Sequence, residues 1–454
     1  MKPKSPTVYE FGPFRLEPGE FRLSRQNREI SLRPKLFELL TVLVERRGEM
    51  LGKDELIKVL WPGINVLESN LTVSVNELRR ALGDDKYIET VTRRGYRFAA
   101  DVRILGDRAV DDPPMLNEAE PPGGAMPLYS PLYIERPVDA DFHSALARRD
   151  SIVLIEGPRQ IGKTSLLARG LQRARESGSQ VALTDMQHLM TSAFSDAEKL
   201  VLTLAEMIAD QLGLSPPHLS WNSFLSASTN FERYLRREVM TQVQTALVWG
   251  MDEADRLFNY EYASEIFGLF RSWHNLRALE PSGPWRRLTL TLAYATEAQL
   301  FITDLNQSPF NIGTRLTLED FSVEKIAELN ARYGSPLQNA GEVSRFYYLI
   351  NGHPYLAQRG LYEMIRRRIE IANVEALADH DEGPFGNHLR RMVLSLERDP
   401  SLCDALRGFL RGQSALTTNQ FHRLRSAGVL GGDSPEDARP RCELYRRYLG
   451  KRLL

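Results

Sequence analysis

Between Gly157 and Thr164 the chain reads GPRQIGKT, a spacing of glycine, lysine and hydroxyl that suits phosphate. Glycines let such a loop curl until its backbone N–H groups point inward, so Gly157, Pro158, Arg159, Gln160, Ile161, Gly162, Lys163, Thr164 and Ser165 form the expected cradle. Lys163 would reach the β- and γ-phosphates and Thr164 would ligate Mg²⁺, which makes ATP with Mg²⁺ the expected cofactor. About ninety residues further on, the apolar run of ALVWGMDEAD ends in Asp252 and Glu253. Asp252 would hold the metal through its water shell, and Glu253 would orient or deprotonate the water that attacks the γ-phosphate. The chemistry these residues fit is conversion of ATP and water to ADP and phosphate, and a role as a regulatory switch would make it slow.

A phosphate loop works only between a strand and a helix, and SIVLIE before it and SLLARGLQRARE after it supply both. QVALTDM, ALVWGMDE and LTLTLAYAT read as further buried strands separated by helical stretches, the pattern of an α/β layer with a mostly parallel sheet. From about Leu318 the pattern is helical to the end.

At 454 residues the chain exceeds a single hydrophobic core, and roughly 150 residues per domain suggests about three. Residues 104–128 hold acidic residues, two Pro pairs and Gly-Gly without an apolar period, and so read as a flexible linker. The expected organisation is multidomain α+β and α/β: residues 1–103 as one module, 104–128 as linker, 129–317 as a parallel-sheet P-loop NTPase core, 318–395 as a helical lid, and 396–454 as a small C-terminal unit. Apolar residues at 42% and charged residues at 26% are ordinary for a globular chain. A net charge of −1 excludes a globally cationic nucleic-acid coat but not a local basic surface. Cys403 and Cys442 are too few for a disulfide framework and lack zinc spacing. No apolar run approaches the ~18 residues of a membrane span, and MKPKSPTVYEFG lacks a signal-peptide core, so a cytoplasmic protein with no membrane partner is expected. No internal repeat is found.

The first module opens with short alternating stretches (VYEFGPFRL, EFRLSR, REISL) that read as strands. A helix follows from Pro34 to Arg47, with Leu36, Leu39, Leu40, Leu43 and Val44 on one face, then a shorter one from Lys53 to Trp61. A third runs from about Glu68 to Leu82, its buried stripe being Leu71, Val75, Leu78 and Leu82. Its other face carries Asn70, Val73, Asn76, Glu77 and Arg80, side chains able to touch base edges, with Arg79 placed to reach a phosphate. YIETVTRRGYRFAADV then reads as two strands joined by a basic tip. This is the layout of a winged helix-turn-helix.

The string SNLTVSVNELRRALGDDKYIETVTRRGYRF resembles the C-terminal half of the OmpR/PhoB-type DNA-binding domain, in the form found in ToxR/CadC-like activators. The resemblance covers about 95 residues and implies double-stranded DNA as partner, the third helix in the major groove and the wing against the minor groove. Carried over residue by residue, it puts Val73 and Glu77 on bases, Asn76 and Arg79 on the backbone, and Thr92, Arg93 and Arg94 at the wing tip. Where some family members place a base-reading Arg, this chain has Glu77, so no target site is inherited.

From about Ser130 onward, SPLYIERPVDADFHSAL, GPRQIGKTSLLARGL, SPFNIGTRLTLEDFSVEKIAELNARYG and NGHPYLAQRGLYEM are similar to the bacterial AAA-like ATPase domain of the STAND signalling NTPases. That resemblance implies that Tyr133 to Arg136 lies near the nucleotide base, that Thr296 at the end of LTLTLAYAT stands near the γ-phosphate, and that His353 and Pro354 of the GHP element sense nucleotide from the lid. A helix-starting turn with Pro in first position is the other reading of GHP. Residues 400–454 are similar to the family's small winged-helix unit, which commonly packs on the ATPase; the basic run Arg439 to Arg452 then reads as an intramolecular or subunit surface rather than a second reading head. The family's usual sensor repeats are not found, and Arg315 and Arg332 are arginine-finger candidates by position alone.

Two functions accommodate these motifs. In the first, a transcription regulator with RNA polymerase as a further partner presents its winged helices through a nucleotide-dependent homo-oligomer. The alternative is an ATP-powered DNA-acting or defence machine that uses the winged helix only for recruitment. A purely structural nucleotide is opposed by Glu253.

Overall fold

Alternating residues at the start of the chain pair into a sheet because each strand buries one face. Strands β1 (Tyr9–Phe11), β2 (Phe14–Glu17), β3 (Arg22–Arg25) and β4 (Arg28–Glu29) run antiparallel and place Phe11, Phe14, Leu16 and Leu23 inward. The structure, a computed structural model, describes residues 9–18, 22–25, 28–30, 32–47, 50–60, 68–83, 87–91, 94–100, 102–104, 121–295 and 309–454. It divides into two units, Met1–Pro113 and Pro114–Leu454.

In the first unit, α1 (Pro34–Glu45), β5 (Met50–Gly52), α2 (Lys53–Leu60), α3 (Glu68–Leu82), β6 (Ile88–Val91), β7 (Gly95–Phe98) and β8 (Arg103–Ile104) follow the first sheet. The apolar stripes expected on α1 and α3 are buried together, with Leu39, Leu40, Leu43, Leu71, Val75 and Leu78 all at 0% exposure. Each such side chain contributes about 1.5–3 kcal/mol relative to an exposed one. β8 returns to pair with β1, closing a five-stranded sheet, while β5, β7 and β6 form the sheet that carries the wing. Gly95 stands where β7 crosses β5; a Cβ there would lie 1.8 Å from the Leu51 carbonyl oxygen.

The second unit begins with α4 (Pro137–Arg148), β9 (Ile152–Glu156), α5 (Lys163–Glu176) and β10 (Gln180–Asp185). Then come α6 (Ala197–Leu212), α7 (Ala227–Tyr234), a π-helical turn (Leu235–Val239), α8 (Met240–Gln242), β11 (Leu247–Asp252), α9 (Ala263–Leu279), β12 (Leu288–Tyr294) and β13 (Thr314–Thr317). The five strands are parallel in the order β10-β11-β12-β9-β13. β11 and β12 are buried at every position, as strands covered on both faces must be. The edge strand β13 is absent from the sequence reading: of its four residues only Leu316 is buried, so it carries no strong apolar signal.

Helices α10 (Val323–Arg332), α11 (Ala340–Ile350), α12 (Pro354–Arg367), α13 (Ile371–Leu377) and α14 (Gly386–Glu397) make up the segment expected as a helical lid. After them come α15 (Pro400–Leu410), α16 (Thr418–Ser426), the short antiparallel pair β14 (Leu430–Gly431) and β15 (Arg439–Pro440), and α17 (Glu443–Leu453). A single buried apolar cluster runs from Ile326 and Phe346 of the lid to Leu424 and Tyr445 of the C-terminal segment, so the two share one core. Among the described residues, no helix is long and apolar enough to cross a membrane.

Candidate functional site

The C-terminal end of β9 turns into a loop that only glycine could build. Gly157 and Gly162 adopt φ of +157° and +106°; a Cβ on the first would meet Ile161 at 2.9 Å, and on the second the Arg136 guanidinium at 3.0 Å. Gly162 is the N-cap of α5 and offers no side-chain oxygen to its first N–H groups, which leaves them open to an anion. The buried Lys163 folds over this cradle, its Nζ donating to the carbonyl oxygens of Gly157 (2.9 Å) and Pro158 (3.3 Å). Burial lowers its pKa from the ordinary lysine value, while the carboxylates of Glu253, Asp255 and Asp252 oppose the shift. A helix N-terminus without a side-chain cap, glycines without room for a side chain, and an ammonium held by neutral carbonyls together fit a polyphosphate.

Asp252 ends β11 in register with Asp185 of β10, so two carboxylates stand side by side at the C-terminal ends of adjacent strands, both on one side of β9. Asp252 is buried and accepts hydrogen bonds from the Thr164 hydroxyl and from the Glu253 N–H (3.0 Å). The Thr164–Asp252 pair is the donor set that would share a Mg²⁺, the hydroxyl directly and the carboxylate through water. Burial raises the pKa of Asp252, and burial together with the neighbouring Asp255 raises that of Glu253, which sits in a left-handed backbone conformation at φ +51°. Asp255 accepts from the Ala295 N–H at 3.2 Å. Thr296, the next residue, lies outside the described residues. Asp185 was not singled out in the sequence, although QVALTD carries the same signal as β11, an apolar strand ending in an acid.

Tyr133 and Arg136 belong to a strap over α5. The Met126 N–H donates to Ser165 Oγ (2.9 Å), Arg169 donates to the carbonyl oxygens of Met126 (3.2 Å) and Pro127 (2.6 Å), and its guanidinium stacks 3.6 Å from the Tyr133 ring. Tyr133 donates its hydroxyl proton to Asp139 (2.6 Å). Arg136 donates to the Ile161 carbonyl oxygen inside the loop (2.9 Å), while its buried Nε has no partner. From the lid, Arg332 donates to the carbonyl oxygens of Pro131 (2.7 Å) and Tyr133 (2.5 Å), and Gln358 to that of Leu132 (2.9 Å). Arg332 is thus a clamp on the strap, and Arg315 pairs with Glu156 at 3.6 Å.

His353 lies inside the second unit, and its buried Nδ1 has no hydrogen-bond partner among the described residues. It is 1% exposed, among the rings of Tyr355, His388 and Tyr445, with Pro354 opening α12 beside it. Burial, with Arg441 adding to it, pushes its pKa well below the ordinary value. Besides Arg136, residues of the C-terminal segment touch the loop; Arg441 lies in the basic run expected as an intramolecular or subunit surface, whereas Ser426 carries no signal in the sequence. The Arg159 N–H donates to the Ser426 carbonyl oxygen (3.4 Å), and Arg441 donates to the Arg159 carbonyl oxygen (3.4 Å). The buried Arg441 also grips Asp320 through Nη2 (2.6 Å) and Nε (3.2 Å), and its own carbonyl accepts from Asn351 (3.1 Å).

On the first unit, Asn70, Val73, Asn76 and Arg80 of α3 are exposed, Val73 at 55%, an unusual position for an apolar side chain with no partner to cover it. Glu77 lies 3.8 Å from Arg33. Arg79 is turned the other way: its guanidinium donates to the Ile88 carbonyl oxygen (2.6 and 3.1 Å) and to the Thr90 hydroxyl (2.8 Å), which fastens α3 to β6. Its expected place on a phosphate would require those bonds to be exchanged. Arg94 is exposed beside the wing turn, whereas Thr92 and Arg93 lie outside the described residues.

Residues 121–451 match the AAA-like domain family, and residues 27–98 match the family described as transcriptional regulatory protein, C terminal. The chain is 32% identical over 124 residues to the transcriptional activator CadC of Escherichia coli K12, covering 25% of this chain and 24% of that protein. It is 36% identical over 90 residues to the transcriptional regulator HilA of Salmonella typhimurium, covering 19% of this chain and 16% of that protein. It therefore spans about a quarter or less of the length of these relatives. The Walker-type ATPase PaBY2304 of Pyrococcus abyssi shares the fold, with a TM-score of 0.50 at 18% identity over 74% of this chain and all of that one.

Proposed function

Since the chain belongs to the AAA-like domain family and joins that ATPase domain to a DNA-binding transcriptional regulator domain, we propose that it is a transcription regulator whose presentation to DNA is switched by ATP binding and slow hydrolysis. The observation that carries this reading is the clasp on the phosphate loop: Arg159, one of the cradle residues, is held through its N–H by Ser426 and through its carbonyl by Arg441. A loop that must take up a triphosphate and is also gripped by the C-terminal segment couples occupancy to the position of that segment.

ATP supplies the phosphate charge and the bond whose hydrolysis resets the state. Lys163 would exchange its two loop carbonyls for phosphate oxygens, and Thr164 with Asp252 would hold Mg²⁺. Glu253, whose raised pKa reflects burial beside Asp255, orients water and takes up its proton. The strap Met126–Tyr133 is tied to Ser165 and Arg169 of α5 and directly follows the segment leading to the first unit, so it is the path by which loop occupancy reaches the linker. Self-association in the ATP state would place several winged helices on one DNA and raise avidity without new contacts.

The reading is tested by operator affinity of the wild-type chain with ATP, with ADP and without nucleotide, beside Lys163→Ala. Affinity that changes at least several-fold with ATP in the wild type and not in the variant supports it; affinity indifferent to nucleotide in both overturns it.

A further inference from the structure

Each of three adjacent strands of the parallel sheet is preceded by a pair of arginines. Arg148 and Arg149 close α4 ahead of β9, Arg286 and Arg287 lead directly into β12, and Arg236 and Arg237 lie in the π-helical turn ahead of β11. Because the strands are parallel, the first two pairs fall at one end of the sheet, opposite the end that bears the phosphate loop, and the cleft that Arg236 and Arg237 line together with Arg286 and Arg287 brings the third pair to them. Adjacent strands are about 4.8 Å apart, so the pairs form one band of positive charge.

Internal bonds tie the band together. Arg277 donates to the carbonyl oxygens of Arg149 (2.6 Å) and Arg286 (2.9 Å), and Arg287 donates to that of Met240 (2.5 Å). Two acids neutralise part of it, Asp150 on Arg148 (2.7 Å) and Glu280 on Arg236 (2.8 Å). Arg149, Arg237 and Arg286 remain exposed; among the described residues none of the three guanidinium groups meets a carboxylate, and Arg286 donates only to the Pro281 carbonyl oxygen (3.4 Å). Two adjoining clefts of about 550 and 790 Å³ share Arg236 and Arg237; the first adds the hydroxyls of Ser228 and Thr229 and a third arginine, Arg233, against one carboxylate, Glu232, and the second adds Gln244 and Ser282. No aromatic ring lines either cleft. The π-helical turn sets Arg236 and Arg237 at the junction, and such turns are retained mostly where a helix has a task beyond packing.

We infer that this arginine band is a second DNA-binding surface, which holds the phosphodiester backbone without reading bases. Guanidinium and hydroxyl donors recognise phosphate. A duplex presents one negative charge per about 1.7 Å of axis, a match for paired arginines on neighbouring strands. The absence of a ring to stack a base or anchor a protein hot spot favours a duplex backbone over single-stranded nucleic acid or an acidic protein. The first unit keeps DNA at hand, and the inference holds whether or not nucleotide switches the protein.

The test uses the full-length chain and a 30-base-pair random duplex, with affinity measured across a salt series for the wild type and for the combined Arg149→Ala, Arg237→Ala and Arg286→Ala variant. Each lost phosphate contact removes about 0.9 from the slope of log affinity against log salt, so the slope should fall by about 2 to 3. The corresponding triple Lys variant should keep it, because counterion release follows charge. Thermal unfolding and ATP affinity report that the variants are folded. A wild-type slope in the Ala variant overturns the inference, as does unchanged DNA binding with loss of binding to polyglutamate, which would assign the band to an acidic protein partner.

Discussion

Arg441 grips Asp320, 121 positions earlier in the chain, through two nitrogens of its buried guanidinium, and with a third reaches the phosphate loop at Arg159. The pair joins the C-terminal segment to the exit of β13 from the ATPase sheet. Arg441→Ala leaves the Asp320 carboxylate with no partner for its charge. We expect a loss of about 2–3 kcal/mol in the stability of the second unit, read by urea unfolding. Arg441→Lys should recover only part of it, since a lysine cannot reproduce the two-nitrogen fork.

Lys163→Ala is expected to abolish ATP binding in calorimetry while leaving affinity for random duplex DNA unchanged. Glu253→Gln should do the reverse of a binding defect, retaining ATP and Mg²⁺ but slowing hydrolysis by 10²-fold or more. That variant should stay in its ATP-bound DNA-binding state.

The pair His388 and Tyr445, joined by a 2.7 Å hydrogen bond beneath the clasp, sets a pH dependence. Burial first, and then Arg441, brings the His388 pKa down to about 4. In the unfolded chain it returns to about 6.5. The native state therefore keeps the ring neutral where the unfolded chain takes up a proton, and its contribution to stability is full above pH 6.5 and declines as pH falls toward 4. The loss by pH 5 should be on the order of 2 kcal/mol, with His353 acting in the same direction. Comparing unfolding midpoints at pH 7 and pH 5, His388→Gln should show a smaller drop than the wild type.

On the recognition helix, Asn76→Ala should cost about 1–3 kcal/mol on the preferred site and little on random DNA, whereas Arg94→Ala should weaken both and lower the salt slope by about 1. Arg79→Ala is expected to act mainly through stability, by freeing α3 from β6, and a midpoint shift in thermal unfolding of the first unit checks this.

Local chemistry was the legible part of this chain. The phosphate loop is written in consecutive residues, and its Lys163 and glycines stand where that grammar requires. The apolar stripes of α1 and α3 follow from periodicity, and both are buried. What sequence could not supply is pairing at a distance. The Arg159 contacts with Ser426 and Arg441 cross more than half the chain, and nothing local to ARPRCEL marks an arginine as the partner of Asp320. Helical patterning marks the segment after Leu318 as helical but is silent on which of its helices share a core, and here one core serves both the expected lid and the C-terminal segment. His353 shows the same limit: the GHP motif reads either as a nucleotide sensor or as a helix-starting turn, and the aromatic neighbours from α14 and α17 that surround its buried ring are not marked in those three residues.

The most direct test of the nucleotide switch is selection of bound sequences from random duplex DNA by the full-length protein, with ATP and without, at one fixed salt concentration. A single enriched motif whose occupancy or half-site spacing depends on ATP is the expected result. No enriched motif under either condition would contradict the account and turn it toward an ATPase that uses DNA only as a place to work.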